Sequence, residues 1–296
     1  RVERDVPFWT PPGAARPLLS DVWRPAEGVP HSGIMVLYFH SGGWQNLDKD
    51  RYTRAFFRRL CAQGHVVMDV AYRLCHEVDL RDMVGDVKRA IVWAKEHARC
   101  CGARRAELVL CGGSAGAHLA LLAAYTPNHA RLDPSDLQGA DTSVDGAISF
   151  YGLPTLSWLG LRQSRPSSRF FVALARRFGL IAPQKHLDWP DVMRRLLGGL
   201  PNEVPEVSAL LSPISHVGPH CPPTLILHGS HDRVVPVRDA RDLYAALRGA
   251  GAPAAYLELP SVEHAFDLLA LRISPAAQAA LYEVERFLAL LAAEAR

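Results

Sequence analysis

Apolar and polar positions along this chain fall into two alternating rhythms. Residues 34–40 form an unbroken apolar run, the mark of a strand buried on both faces. Residues 51–63 carry helical spacing and stop before Gly64. The order then repeats. A strand is predicted at 66–72, a helix at 80–97 with apolar residues at Met83, Val84, Val87, Ile91 and Trp93, a strand at 108–111, and an apolar helix through 118–124. Strands at 144–151, 224–228 and 254–259 and helices at 237–248 and 276–293 complete the series. Strands alternating with helices predict an α/β fold, a mostly parallel twisted sheet with helices on both faces.

Two stretches depart from the rhythm. Residues 1–30 are rich in Pro and Arg and show little periodicity, with Phe8 and Trp9 free to pack on the body; 21–25 reads as a short edge strand stopped by Pro25. Between Gly152 and Pro222 no strand pattern is present, while 170–178 and 192–197 look like amphipathic helices. An interval of roughly 70 residues is too long for a simple connection. The expectation is a core of residues 1–152 and 214–296, interrupted by a helical cap at 153–213.

Composition narrows the functional classes. The 296 residues are 49% hydrophobic and 21% charged, the balance of a globular chain with a large core. A formal charge of +3 and scattered basic doublets at Arg104-Arg105 and Arg176-Arg177 argue against nucleic acid as a partner. No apolar run approaches the roughly 20 residues of a transmembrane helix. The six cysteines show no CxxC spacing, Cys100 and Cys101 are adjacent, and no disulfide framework is evident, which favours a reduced, cytoplasmic setting. No signal peptide is visible; the chain begins at Arg1 rather than Met, so a targeting segment removed upstream stays open.

The chemistry concentrates at Gly112-Gly113-Ser114-Ala115-Gly116, between the strand at 108–111 and the helix at 118–124. A serine between glycines at a tight strand-to-helix turn presents its hydroxyl as a nucleophile, and the helix N-terminus favours negative charge beside it. Such a serine needs a general base, and the base an orienting carboxylate. In a parallel sheet both should follow later strands. Asp232 follows the strand at 224–228, and His264 follows the strand at 254–259, so their loops should be neighbours. His40-Ser41-Gly42-Gly43-Trp44, behind the strand at 34–39, offers backbone N–H groups that can approach a carbonyl, with Ala115 as a further donor.

These stretches, with Asp69-Val70-Ala71-Tyr72-Arg73-Leu74, His231-Asp232-Arg233-Val234-Val235-Pro236 and Glu263-His264-Ala265-Phe266, resemble α/β-hydrolase esterases of the hormone-sensitive-lipase type, especially the short bacterial carboxylesterases of that group. The likeness covers roughly 30–295 in the same order. It implies an α/β-hydrolase fold, Ser114 as nucleophile, His264 as base, Asp232 as its orienter, and Gly42, Gly43 and Ala115 as oxyanion donors, acting on small-molecule esters of short to medium acyl length. Ser41 stands where the family has the first glycine of HGGG, and Cys75-His76 replace an Ala-Pro pair after Tyr72-Arg73-Leu74.

Plainer roles compete at each position. Asp232 could cap the helix beginning near Pro236. Among 13 histidines, His228 reads as packed or hydrogen-bonded within its strand, His118 as structural, and His40 as a brace for the glycine loop. Trp44, Trp158, Phe170, Phe171 and Trp189 are candidate acyl-pocket residues that serve equally as cap core. No metal-ligand spacing occurs and no cofactor is implied. Two other functions stay open: amide cleavage of the kynurenine-formamidase kind, and a non-catalytic receptor on the same fold, a type that loses the histidine standing here as His264. Edge strands and surface helices could each support a homodimer.

Overall fold

Strands alternating with helices read as a parallel sheet, and the six strands described between residues 34 and 259 are parallel. The computed structural model describes residues 1–98, 107–159, 188–268 and 273–294. Its strands are β1 (Val2–Trp9), β2 (Leu18–Trp23), β3 (Ile34–Phe39), β4 (Val66–Val70), β5 (Glu107–Gly113), β6 (Gly146–Phe150), β7 (Thr224–Gly229) and β8 (Ala254–Leu259). They lie in the order β1-β2-β4-β3-β5-β6-β7-β8. From β4 to β8 every pairing is parallel, whereas β1–β2 and β2–β4 are antiparallel. The helices are α1 (Arg54–Ala62), α2 (Leu80–His97), α3 (Ala115–Tyr125), α4 (Trp189–Leu197), α5 (Pro205–Leu210), α6 (Val237–Gly249) and α7 (Pro275–Glu294).

The sheet divides two hydrophobic layers. On β3, Met35, Leu37 and Phe39 face the layer that holds residues of α2 and α3. Ile34, Val36 and Tyr38 face the other, with Phe57 and Leu60 of α1 and Leu281 and Leu288 of α7. Successive side chains point to opposite faces, so a strand covered on both sides must be apolar at every position. Helix α3 is buried along its whole length, which matches a sequence apolar all round. The Tyr72-Arg73-Leu74 segment is tied to α2 by Arg73, whose guanidinium donates to the buried Asp86 at 2.6 and 2.9 Å.

The N-terminal reading needs correction. Residues 2–9 form a full strand, and 18–23 is the second strand of the sheet rather than its edge. As the edge strand, β1 exposes most of its side chains and carries charges and Pro7, so its alternation is weak. What holds it is tertiary: pairing with β2, and Trp9 stacked beneath Arg89 at 3.5 Å. In the interval expected as a cap, α4, α5 and a 3₁₀ turn at Pro213–His216 are present, and no strand occurs among its described residues. Asp188 caps α4 by accepting from the Asp191 amide at 3.0 Å, and Gly198 ends it at φ 83°. The helix expected at 170–178, the paired cysteines 100–101 and both arginine doublets lie outside the described residues. No helix among the described residues is long and apolar enough to cross a membrane.

A buried acid marks the junction of β2 and β4. Asp69 pairs across the strands with Asp21, and both are fully buried. Asp21 accepts from Arg4, from Lys49 at 2.7 Å and from the Asp5 amide at 3.0 Å. Among the described residues Asp69 accepts only the Asp50 amide, at 2.6 Å, and its Oδ1 has no partner. Burial pushes the Asp69 carboxyl up to about 8, against the Asp50 N–H, with Asp21 and Asp50 adding to the rise. In the unfolded chain the same group ionises near 4. The folded state therefore binds the extra proton between about pH 4 and 8, and stability should fall as pH rises through that window. Urea midpoints at pH 5 and pH 8 check this: Asp69→Asn should flatten the difference, and an equal drop in the variant would remove Asp69 as its source.

Candidate active site

Ser114 occupies the turn between β5 and α3 at φ 52° and ψ −117°, a backbone region that non-glycine residues rarely enter. Its amide donates to the Phe150 carbonyl at 2.9 Å, and its carbonyl accepts from His118 N at 3.0 Å. The flanking glycines have no room for side chains. A Cβ on Gly112 would lie 2.5 Å from the Gly116 carbonyl carbon, and one on Gly116 would lie 2.1 Å from the Phe39 carbonyl oxygen. The turn is thus clamped between its own helix and the end of β3.

Two later loops meet the Ser114 hydroxyl. The Ser230 amide donates to Leu259 O at 2.9 Å and the His231 amide to Val262 O at 3.0 Å, which stitches the loop after β7 to the loop after β8. Across this seam His264 Nδ1–H donates to Asp232 Oδ2 at 2.6 Å, and Ser114 Oγ–H donates to His264 Nε2 at 3.0 Å. Asp232 Oδ1 accepts the amides of Val234 and Val235, each at 2.8 Å. His228 adds a further donor, its Nε2 standing 3.2 Å from Asp232 Oδ2 and 3.1 Å from the Val235 carbonyl. The Asp232 side chain is wholly buried. Burial by itself would raise its carboxyl, but the His264 charge and the hydrogen bonds from His228 and His264 outweigh it and hold the group well below the usual carboxylate range. An anion is therefore fixed behind the imidazole.

The glycine loop lies on the other side of Ser114. Gly42, Gly43 and Trp44 all have positive φ, at 121°, 62° and 60°. A Cβ on Gly42 would sit 2.0 Å from the Asn46 carbonyl oxygen, because the loop folds back on itself and Gly42 O accepts the amides of Gln45 and Asn46. His40 braces this loop. Its Nδ1–H donates to Ser41 O at 2.7 Å, its ring stacks on Tyr72 at 4.2 Å, and the Tyr72 hydroxyl donates to His40 O at 2.8 Å. Burial lowers His40 to about 4, despite the Ser41 bond, so the ring is a neutral strut at ordinary pH. Ala115 opens α3, where helical geometry leaves its N–H without an intrahelical carbonyl. His118 is structural, its Nε2–H donating to Leu211 O at 2.8 Å.

The expected pocket residues divide. Trp44 is fully buried, packed edge-on against His118 at 5.2 Å and Trp189 at 6.4 Å, so it is a core residue and not an open pocket wall. Apolarity alone could not distinguish this packing from lining a pocket. Trp158 is tied to α6, its Nε1–H donating to Asp239 Oδ2 at 2.6 Å. Trp189, at the start of α4, reaches within 3.4 Å of where a Cβ on Gly43 would be. Phe170 and Phe171 lie outside the described residues. Glu263, read as a surface carboxylate, is half-buried and 3.2 Å from Arg233. Two neighbours escaped the sequence reading. Tyr151, one residue past β6, places its ring 4.5 Å from that of His264, and its hydroxyl donates to the buried Asp267. A strand-end tyrosine and an aspartate three residues beyond a histidine carry no recognisable spacing. Among the described residues, no group of three or more His, Cys, Asp or Glu side chains is arranged to hold a metal.

A parallel sheet with a strained serine after its fifth strand, and acid and histidine following the next-to-last and last strands, defines an α/β-hydrolase. The chain belongs to the BD-FAE family, which matches residues 21–247. It is similar to esterase LipC of Mycobacterium tuberculosis, 34% identical over 264 residues, covering 88% of this chain and 60% of the relative. The carboxylic ester hydrolase LipM of the same organism, so described as probable, is 31% identical over 91% of this chain and 57% of its own length. The chain thus spans about 60% of the length of these relatives. In structure it resembles the native and butyrate-bound forms of esterase Est2 from Thermogutta terrifontis. Both superpose with a TM-score of 0.74 over 98% of this chain and 92% and 94% of theirs, at 24% and 25% identity.

The clamp on the serine turn yields a stability test. Gly116→Ala forces a methyl group into the β3 carbonyls and should cost about 1–3 kcal/mol or more, lowering the melting temperature by several degrees. Gly249→Ala, with nothing within 4 Å of the new Cβ, should be neutral or raise the melting temperature slightly. Equal melting temperatures for the two variants would mean the turn is not sterically clamped.

Proposed function

We propose that this protein is a serine carboxylesterase working through an acyl-enzyme on Ser114. The observation that carries the reading is the continuous hydrogen-bonded line from Ser114 Oγ through His264 to the buried Asp232. In this reading Ser114 attacks the ester carbonyl while its proton passes to His264 Nε2. Asp232 holds the tautomer and opposes the imidazolium charge. The oxyanion rests on the amides of Gly42, Gly43 and Ala115. Collapse of the tetrahedral adduct expels the alcohol, which takes the proton from His264. Water then gives its proton to His264, attacks the acyl-enzyme and releases the acid, and Ser114 recovers its hydrogen.

We also propose that residues 153–213 act as a cap over the serine. The approach of Trp189 on α4 to Gly43 supports this, since a substrate crossing the glycine loop would pass that indole. A short to medium acyl group suits the reading, in keeping with esterase names among the relatives and the butyrate held by Est2.

The test is an ester series from acetate to a long acyl chain, with a formamide alongside. Esters of short to medium chain should turn over, and Ser114→Ala should lower kcat by on the order of a millionfold without loss of fold. Asp232→Asn should lower kcat by about ten-thousandfold while KM moves little. Wild-type rates in Ser114→Ala would end the assignment, and faster turnover of the formamide than of any ester would replace it with amide hydrolysis.

A further inference from the structure

Behind the line from Ser114 to Asp232 lies a second buried carboxylate that the mechanism above does not use. Asp267 is 9% exposed and accepts the Tyr151 hydroxyl. Tyr151 is fully buried and held at φ 40°, a strained backbone for a bulky residue, with its amide donating to Leu227 O at 2.7 Å. That backbone turns the ring under the site. It lies 4.5 Å from His264 at 58°, and Phe266 closes its other side edge-on at 5.4 Å. The Tyr151 hydroxyl lies 3.0 Å from the position a Cβ on Gly113 would take, and Ser41 Oγ lies 2.6 Å from it. One tyrosine thus touches the histidine and lies beneath both the serine turn and the glycine loop.

We propose that Tyr151 and Asp267 form a positioning pair for His264, the ring fixing the plane of the imidazole and the carboxylate opposing the positive charge it acquires. The inference rests on the acyl-transfer reading above. Tyr151 after β6 is hydrogen-bonded to Asp267, and Tyr38 on β3, Cys111 on β5 and His264 in its own loop interact with it electrostatically. Burial raises the Asp267 carboxyl to about 6, against the Tyr151 hydroxyl, backbone amides and the His264 charge, which pull it down. Asp267 is therefore mostly ionised at neutral pH, and the Tyr151 hydrogen bond helps to keep it so.

Two variants separate charge from shape. Asp267→Asn keeps an acceptor for Tyr151 and removes the anion, so kcat should fall about tenfold above pH 7, where Asp267 is ionised, and the gap to wild type should close below pH 6, while KM stays within about twofold. Tyr151→Phe keeps the ring but lets Asp267 hold its proton to higher pH. Its kcat should fall severalfold between pH 6 and 7 and return toward the wild-type value by pH 8–9 as Asp267 ionises. The same fractional loss at every pH in both variants, or no loss in either, would overturn the proposal. Labelling of wild-type Ser114 by a fluorophosphonate keeps the two readings apart. Without labelling, the acyl-transfer reading falls and this inference with it; with labelling but flat variant profiles, only this inference falls.

Discussion

A single backbone torsion constrains most of this molecule. Ser114 is held at φ 52°, a conformation costing of order 1–3 kcal/mol that persists only if its surroundings leave no alternative. Those surroundings are extensive. The Phe150 carbonyl takes the serine amide, α3 starts at once behind it, and Gly116 seats that helix against the carbonyls of Phe39 and His40. The helix can approach so closely because Gly116 carries no side chain, and it stays buried along its length within the layer above the sheet. The same approach brings the end of β3, and the glycine loop that follows it, beside the serine. Strain at one residue and burial of a whole helix are therefore two ends of the same packing arrangement.

The buried aspartates show how position sets chemistry. Asp232, Asp69 and Asp267 are all withdrawn from water, and desolvation pushes each toward its neutral form. Asp232 resists through two backbone amides and two imidazoles. Asp69 has one amide donor and acidic neighbours, and it yields. Asp267 lies between these extremes, with a tyrosine hydroxyl and backbone donors. The count and charge of the donors, more than depth of burial, separate a permanent anion from a neutral acid.

The parallel core was legible because its inner strands are covered on both faces, which writes itself as apolar runs; 34–39 is a case where pattern and strand coincide. The helix at 80–97 was equally plain, bounded by Asp79 as its cap and amphipathic along its length. The strand at 2–9 was not, because an edge strand exposed on most positions has no burial to impose alternation, and it carries charges and Pro7. Within the site, Ser114, Asp232 and His264 stood out because each lies in a short motif at a strand end. His228, Tyr151 and Asp267 lie in ordinary strand and loop contexts, and only their meeting in space gives them partners.

Sequence by itself determined the order of elements, the strained turn with its glycines, and the chain order of serine, acid and histidine, since these follow from local periodicity and steric demand. Tertiary structure decided the rest. It packed Trp44 between His118 and Trp189, placed Trp189 against Gly43, and brought Tyr151 against both His264 and Asp267. The physical reason is range. Backbone preference and burial periodicity act over a few residues, whereas desolvation and hydrogen bonding between side chains more than a hundred positions apart exist only once the sheet has brought their strands together.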